Sequence, residues 1–517
     1  MTAPGYAEAL AACRSGDAAE CQRITADLLR ARPDDGPASL LRGVTVPEDE
    51  AARRFALLKA ACRRQPGHAE HWANLAEWHE RHGEPVEAAR CWRRAVSLDP
   101  AHVPTLSRAT ESLRITEHFT EALPLARRLQ RLLPDDFIGY AHEAISLQQM
   151  GAFEAADRVF AEAIRRRSNP ALLHWEHHFS LLARERFAEA WDSYEWRFDC
   201  DGANSVDDMA FDLPRWTGGP AGHVLVYGEQ GIGDQLMFAN ALDEVIARVD
   251  RVSLAVAPHL VALFQASFPQ GHVLPIVLKR DPATCAALVA EAGRVHPVDA
   301  SVPLGSLMAL FRRRREAFTG RPYLRASDAA REYWAARAPV VRQGDRPLRV
   351  GLCWACNPCA GQFGLSRRAQ RRTMDVAQVQ RLAGLPGVEA VAVTNVPLAA
   401  FGVEDAAALG IADVSASLTT LDRTAALIET LDLLVTVDTG VAHLAGALGK
   451  PVWLMLHDRG DPRWGRPGAR TSYWYESAEL FWQETPGDWD GLVDRIADRL
   501  VACRAQLRAA PVREMAA

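Results

Sequence analysis

The sequence predicts an all-α solenoid followed by an α/β half with two parallel-sheet lobes. Apolar and small residues recur every 34 positions up to about residue 199. From about residue 222, short apolar runs alternate with longer amphipathic segments, and glycine-rich or small polar turns follow two of those runs. We therefore expect a helical domain over residues 1–200 and two lobes over 201–340 and 341–517.

Composition limits the class of protein. The 517 residues are 48% hydrophobic and 24% charged, which is typical of folded globular chains and long enough for two to four compact units. The net charge of −6 gives no indication of nucleic-acid binding. The ten cysteines are scattered, as in a reducing compartment. With no basic and apolar leader and no long uncharged apolar run, the sequence predicts a cytoplasmic protein without a membrane span.

The helical repeat is clearest in WANLAEWHERHGEPVEAARCWRRAVSLDP, which starts at Trp72 and ends at Pro100. Its apolar and small positions predict a helix, a turn at Gly83 and a second helix. Equivalent residues recur one and two steps of 34 later: Leu106, Ala122, Leu129, Pro134, Tyr140, Ala144, Gly151, Ala156, Phe160 and Ala163. We expect five or six such helix pairs between residues 6 and 199.

This spacing resembles the tetratricopeptide repeat. The resemblance implies a concave surface that binds a peptide or protein partner, although a purely structural or oligomerising arm is the alternative. O-GlcNAc-type transferases place recurring asparagines on that surface. Here Asn74 is followed, at steps of 34, by Arg108, His142 and Glu176, so recognition would rest on other side chains.

The second half contains short, β-branched and nearly continuous apolar runs, which predict buried parallel strands. Helical segments separate them, and this alternation predicts two Rossmann-like lobes joined near residues 331–347. The predicted strands are HVLVY (223–227), VSLAV (252–256), RVGLCW (349–354), VEAVAVT (388–394), LDLLVTV (431–437) and PVWLML (451–456).

The first predicted strand is followed by the turn GEQGIGD. Its glycines permit close backbone approach, but their spacing is G-x-x-G-x-G and not the dinucleotide pattern G-x-G-x-x-G. We expect Gln230, Gly231 and Gly233 to line a cleft, with Asp234 at the mouth of the next helix. Asp234 is either a helix cap or a carboxylate that takes a proton from an acceptor hydroxyl.

A second turn, D-T-G, follows the strand that ends at residue 437. Asp438 ends the strand, Thr439 and Gly440 open a helix, and His443 lies in its first turn. The positive end of the helix dipole and its free N–H groups favour a diphosphate at this point. The alternative is a capped helix with a satisfied histidine.

Three motifs in this order carry a second resemblance: GEQGIGDQLMFA, GLCWACNP and VDTGVAHLAGALGKPVW. Together they resemble the bacterial tetratricopeptide glycosyltransferases, related in their C-terminal half to the family 9 heptosyltransferases and family 41 O-GlcNAc-type transferases. The resemblance implies a GT-B fold and an inverting, metal-independent transfer with no cofactor beyond the nucleotide-sugar substrate. On matching positions, Asp234 corresponds to the catalytic base, and Asp438, Thr439, Gly440 and His443 correspond to donor-binding residues.

Asn357 and Arg372 are further candidates to hold the donor diphosphate. The loop that contains them is unusual, because Cys356 stands where relatives have glycine and the sequence SRRAQRR follows. These arginines either neutralise a diphosphate or form a solvated basic loop. Cys353, Cys356 and Cys359 give C-x-x-C-x-x-C with no second cysteine pair, so we predict no metal site.

The sequence thus predicts a glycosyltransferase that moves a sugar from a nucleotide sugar to a hydroxyl of a protein acceptor. The acceptor class expected is flagellin or another surface-structure subunit, presented by the repeats. Two alternatives remain at this stage. The lobes could be catalytically silent in a repeat-based adaptor or chaperone, or the acceptor could be a lipid-linked sugar or polysaccharide.

Overall fold

The computed structural model describes residues 5–166, 170–200, 209, 211–277, 281–294, 296–337, 347–355 and 371–509. They belong to two compact units, Met1–Pro170 and Ala171–Ala517. The predicted donor contact Asn357 lies outside the described residues, as do Cys356 and Cys359.

The first unit is helical, as the repeat predicts. Its described residues form α1 (Tyr6–Arg14), α2 (Ala18–Ala31), α3 (Gly36–Val44), α4 (Ala51–Arg64), α5 (Ala69–Arg81), α6 (Pro85–Leu98), α7 (Val103–Ile115), α8 (Phe119–Leu132), α9 (Ile138–Gln149) and α10 (Phe153–Arg166). The second helices of successive pairs start at Ala51, Pro85, Phe119 and Phe153, a step of 34 residues each time. The tetratricopeptide-like helical region is therefore confirmed.

Small and large side chains alternate in the core of this unit. Ala76, Ala88 and Ala95 are completely buried, and Trp92 is 1% exposed beside them. They belong to one apolar cluster formed largely by α4, α5, α6 and α7. The alanines let paired helices approach closely, and the tryptophan fills the remaining space.

In four successive helix pairs, beginning with α5 and α6, the turn between the helices has a left-handed residue at the same repeat position. The φ angles are 73° at Gly83, 68° at Glu117, 76° at Gly151 and 56° at Glu185. Glycine adopts this conformation without cost, whereas an L-residue is strained by about 1 kcal/mol. The 34-residue period therefore extends to backbone conformation, including two turns in which glutamate replaces glycine.

Replacing Gly83 or Gly151 with alanine should lower the free energy of unfolding by about 1 kcal/mol, because alanine is strained at positive φ. A Cβ atom at either position would meet nothing within 4 Å, so the effect isolates the backbone. Gly67 is the matched control, since its surroundings are equally open and its φ lies outside the left-handed region. Urea unfolding followed by circular dichroism should show Gly67→Ala to be neutral or stabilising; equal losses at all three positions would contradict the left-handed turns.

The second unit begins with a helix pair, α11 (Pro170–Ala183) and α12 (Phe187–Tyr194). This pair packs into the α/β core: the indole N–H of Trp191 donates to the carbonyl oxygen of Arg312 at 2.8 Å, and Phe187 meets the Tyr473 ring edge-on at 5.0 Å. Phe187 and Trp191 are buried. The predicted helical domain extends to residue 200, whereas the compact helical unit ends at Pro170, because this last pair shares the core of the α/β unit.

The α/β part contains two parallel sheets. The first has β1 (Ala221–Tyr227), β2 (Val249–Val256), β3 (His272–Pro275) and β4 (Ala300–Pro303) in the order β3-β2-β1-β4. Its helices are α13 (Ile232–Phe238), α14 (Leu242–Ile246), α15 (Val261–Ser267), α16 (Pro282–Ala292) and α17 (Leu307–Phe311).

The second sheet has β5 (Leu348–Cys353), β6 (Val388–Ala392), β7 (Ile411–Ala412), β8 (Leu433–Val437), β9 (Val452–Leu456) and β10 (Ala478–Trp482) in the order β10-β9-β8-β5-β6-β7. With it are α18 (Asp328–Ala335), α19 (Val376–Ala383), α20 (Leu421–Glu429), α21 (Gly440–Ala447) and α22 (Trp489–Ala509). All six predicted strands are confirmed.

Because the strands of each sheet are parallel, the turns that follow them leave from one edge. The start of α13 follows β1, and the start of α21 follows β8. Across the described part of the chain, no helix combines the length and apolar character that a membrane crossing requires.

Candidate active site

The turns that follow β1 and β8 contact each other at two glycines, Gly233 and Gly440. A Cβ atom added to Gly233 would lie 3.4 Å from the Cα of Gly440 and 3.5 Å from Cδ2 of His443. A Cβ atom added to Gly440 would lie 3.7 Å from the Cα of Gly233. The starts of α13 and α21, predicted separately from the sequence, therefore form one site.

Asp234 lies in the first turn of α13 and is not its cap. The N-cap is Gly231, and no side chain bonds to the free N–H groups of that turn. The carboxylate of Asp234 instead accepts a hydrogen bond from Nη1 of Arg463, which is far away in the sequence. Asp234 is thus paired with an arginine from the loop that follows β9 of the second sheet.

Arg463 is held from its other side by a buried carboxylate. Its Nε and Nη2 donate to the two oxygens of Asp461 at 3.0 and 2.7 Å, and the Asp461 side chain is 2% exposed. The indole of Trp474 donates to the Arg463 carbonyl oxygen at 2.9 Å. This two-point pairing fixes the guanidinium plane, so that Nη1 reaches Asp234.

Asp438 positions its neighbours. One carboxylate oxygen accepts from the indole N–H of Trp464 at 2.9 Å, and the other accepts from Nη1 of Arg372 at 3.3 Å. The same Arg372 nitrogen donates to the Asp438 carbonyl oxygen at 3.1 Å. A carboxylate repels phosphate, so Asp438 contributes by orienting the positive charge of Arg372 at the end of β8.

The first turn of α21 has no side-chain cap. Thr439 is its N-cap residue, but its hydroxyl makes no capping hydrogen bond and lies 3.4 Å from the hydroxyl of Thr436. The thiol of Cys353, at the end of β5, is 3.8 Å from the same Thr439 oxygen. Burial raises the pKa of the Cys353 thiol, so it stays protonated at neutral pH.

His443 is buried and neutral. Its Nδ1 is 3.0 Å from the hydroxyl of Tyr475, and its ring stacks on Trp464 with centroids 4.7 Å apart. Burial, reinforced by nearby Arg463, lowers the pKa of His443 to about 4. Its Cδ2 edge faces Gly233, so a neutral imidazole borders the junction of the two helix starts.

The loop that precedes α13 is fixed by amides. Gln230 donates to the hydroxyl of Tyr194 at 2.5 Å, and Gln235 donates to the Gln230 carbonyl oxygen at 2.9 Å. Gln235 also accepts from the N–H of Ala257 at 2.9 Å. A Cβ atom on Gly228 would lie 2.4 Å from the Gln235 side chain, so any larger residue there would displace the Gln235 amide.

Beneath this loop lies a buried charge network that the sequence did not indicate. Arg197 donates to Glu229 at 3.1 Å and to Ser306 at 2.8 Å, and it pairs with Glu195 at 2.8 Å. Arg197 and Glu229 are almost completely buried. Burial raises the pKa of Glu229 to about 6 despite the partly compensating Arg197 charge. The backbone N–H of Gly305, just after β4, donates to Glu229, so the network anchors the loop to that segment.

Positive charge gathers beyond β8 and β9. Burial, with the neighbouring charge of Arg459, lowers the pKa of Arg371. Burial and Arg371 also lower the pKa of His457 to about 4. Arg459 pairs with Asp458 at 3.3 Å. Such a concentration of like charge favours an anionic ligand.

The structure therefore brings together seven of the predicted site residues: Gly231, Gly233, Asp234, Asp438, Thr439, Gly440 and His443. Arg372 joins them through Asp438, while Gln230 bonds to Tyr194. Sequence reasoning missed Arg463, Asp461 and Trp464. They follow β9, so the rule that singled out the turns after β1 and β8 would have found them if applied to this strand as well.

Comparison with known proteins addresses this same region. Residues 409–463 match glycosyltransferase family 9 (heptosyltransferase). The matched segment includes the D-T-G turn, α21, β9 and Arg463. The chain is also 27% identical to protein FlbA of Caulobacter vibrioides over 536 residues, which cover 95% of this chain and 83% of that protein. The resemblance to a tetratricopeptide glycosyltransferase is confirmed.

Similar solved structures match a smaller part of the chain. A MamA structure is 16% identical with a TM-score of 0.28, covering 31% of this chain and 89% of that one. YrrB, a TPR protein with an unusual peptide-binding site, is 15% identical with a TM-score of 0.31, covering 34% of this chain and 91% of that one.

Acid should destabilise the α/β unit partly through His443. Because its folded pKa of about 4 lies below the ordinary 6.5, its stabilising contribution is complete above pH 6.5 and declines as the pH falls towards 4. This one group should account for on the order of 3 kcal/mol. Urea unfolding at pH 7 and 4.5 should show a smaller acid loss in His443→Gln.

The exposed His259 provides the control, and His259→Gln should keep the wild-type pH dependence. If His443→Gln loses as much stability on acidification as the unmodified chain, then the imidazole is not held neutral by its burial.

Proposed function

We propose that this chain transfers a sugar from a nucleotide-sugar donor to a hydroxyl group of a protein acceptor, using a GT-B arrangement of its two lobes. The observation that carries the proposal is the carboxylate of Asp234 beside the uncapped start of α21. The helix α21 itself lies within the segment that matches family 9. A carboxylate base and an anion-binding helix end are the two groups that the reaction needs.

The donor diphosphate would bind at the start of α21. Backbone N–H groups and the hydroxyl of Thr439 supply donors, and Gly440 leaves room for a phosphate oxygen. Arg372, oriented by Asp438, supplies positive charge. Helix dipole and guanidinium together offset the charge that develops on the leaving diphosphate, which supports a metal-independent transfer.

The proposed chemistry is a single displacement. The acceptor oxygen attacks the anomeric carbon and loses its proton to Asp234, while the bond from that carbon to the phosphate oxygen breaks. The electron pair of that bond leaves with the nucleoside diphosphate. Attack from the face opposite the leaving group inverts the anomeric centre.

The helical unit offers a place for the protein acceptor. A pocket of about 230 Å³ between α3, α4 and α5 is lined by Arg54, Asn74 and Trp78, among others. Within the described chain, Nε of Arg54 and the indole N–H of Trp78 have no hydrogen-bond partner. The basic and amide side chains of this lining suit a carbonyl-rich or acidic segment of an acceptor such as flagellin or another surface-structure subunit.

Release of nucleoside diphosphate from a panel of UDP-, GDP-, ADP- and dTDP-sugars tests the catalytic assignment. The wild-type chain should hydrolyse one of these donors slowly, and Asp234→Asn should reduce that rate by about 100-fold or more, because the base is lost. Asp243→Asn, on the exposed surface of α14, is the matched control and should keep the wild-type rate. Unimpaired hydrolysis by Asp234→Asn would show that Asp234 is not the catalytic base. A wild-type chain that hydrolyses none of these donors would favour the adaptor alternative.

The acceptor pocket is tested separately with Arg54→Ala. Loss of a charged hydrogen bond should lower sugar transfer to cell proteins by about tenfold while donor hydrolysis stays unchanged. Arg53→Ala is the control, because Arg53 lies on the exposed side of the same helix and pairs with Glu50 at 2.6 Å. Mass spectrometry of proteins from cells lacking the chain measures transfer. Equal transfer by both variants would exclude this pocket as the docking site.

A further inference from the structure

We propose that Arg463 binds the donor diphosphate by exchanging Asp234 for a phosphate oxygen, so that donor binding frees the base. This inference rests on the proposed function and adds to it an order of events: donor before acceptor. It concerns a residue that lies at the end of the family 9 match and is assigned no role by the sequence motifs.

The geometry of Arg463 restricts what it can contact. Asp461 occupies Nε and Nη2, and its carboxylate is buried, so this pair stays fixed. Nη1 is the nitrogen that faces the site, where it bonds to Asp234. A change of partner therefore takes place at Nη1 without moving the rest of the side chain.

The start of α21 lies within the same cluster. Trp464, next in sequence to Arg463, stacks on His443 and bonds to Asp438. Gly233, next to Asp234, touches Gly440 at the start of α21. A diphosphate seated on that helix start would therefore lie beside both members of the Arg463–Asp234 pair.

Charge favours the exchange. Asp234, Asp438 and Asp461 place three carboxylates around the site, and Arg463 bridges two of them. A diphosphate carries at least two negative charges, so one of its oxygens competes with the single charge of Asp234 for Nη1. Once Nη1 turns to phosphate, the lone pair of Asp234 that accepted its hydrogen bond becomes available for the acceptor proton.

The proposal predicts opposite effects of two substitutions on nucleoside diphosphate affinity. Calorimetric titration of the full chain with UDP, GDP, ADP, CDP and dTDP first identifies the nucleotide that binds. Arg463→Gln should weaken that nucleotide by about tenfold, whereas Asp234→Asn should tighten it severalfold because a competitor for Nη1 is removed. Asp243→Asn and Arg470→Gln, at exposed positions, are controls that should leave the affinity unchanged.

A double variant separates exchange from simple repulsion. In the Arg463→Gln background, Asp234→Asn should no longer tighten binding, because the two residues act through one contact. A gain that persists there would indicate direct repulsion between Asp234 and phosphate and would overturn the proposal. Unchanged or weaker binding by Asp234→Asn alone would overturn it as well.

Folding and function are kept apart in this design. Arg463→Gln leaves Asp461 without its partner and is checked by circular dichroism. If it does not fold, Asp234→Asn, which leaves the buried pair intact, still decides the question. If the wild-type chain binds a nucleoside diphosphate but Asp234→Asn binds it equally, the exchange fails and the proposed function stands; if none of the five nucleotides binds, the proposed function itself fails.

Discussion

The contact between Gly233 and Gly440 is the constraint on which the candidate site depends. Two helix starts that belong to different sheets touch there because neither residue carries a side chain. The contact brings Asp234 beside the first turn of α21 and presents the edge of His443 to the same place. A side chain longer than alanine at either glycine would press on the other helix start, so the close approach of Asp234 to α21 depends on the small size of both residues.

The six strands that the sequence predicted are the inner strands of the two sheets. Four strands were missed, β3, β4, β7 and β10, and these are the edges of the two sheets. An edge strand has a single hydrogen-bonded neighbour and is often short, so it lacks the continuous apolar run that marks a strand buried on both sides. β7 has two residues, and both β3 and β4 end in proline. The helices were easier, because a period repeated several times identifies them even where one copy is weak.

In the candidate site, likewise, some residues could be found from the sequence and others could not. The turns after β1 and β8 could be located because glycine and small polar residues at strand ends are local signals. The pair formed by Asp234 and Arg463 joins residues 229 positions apart, and nothing in DPRW indicates such a partner. That contact depends on β9 lying next to β8, which the order of strands in the sequence does not determine.

The helix pair α11 and α12 continues the repeat in sequence yet belongs to the α/β core. Phe187 falls on the same 34-residue step as Phe153 and Phe119, and Glu185 keeps the left-handed turn. Whole repeats can therefore be gained or lost upstream without disturbing the apolar surface that Phe187 and Trp191 complete. A substitution in this final repeat therefore acts on the folding of the α/β unit as well as on the solenoid pattern.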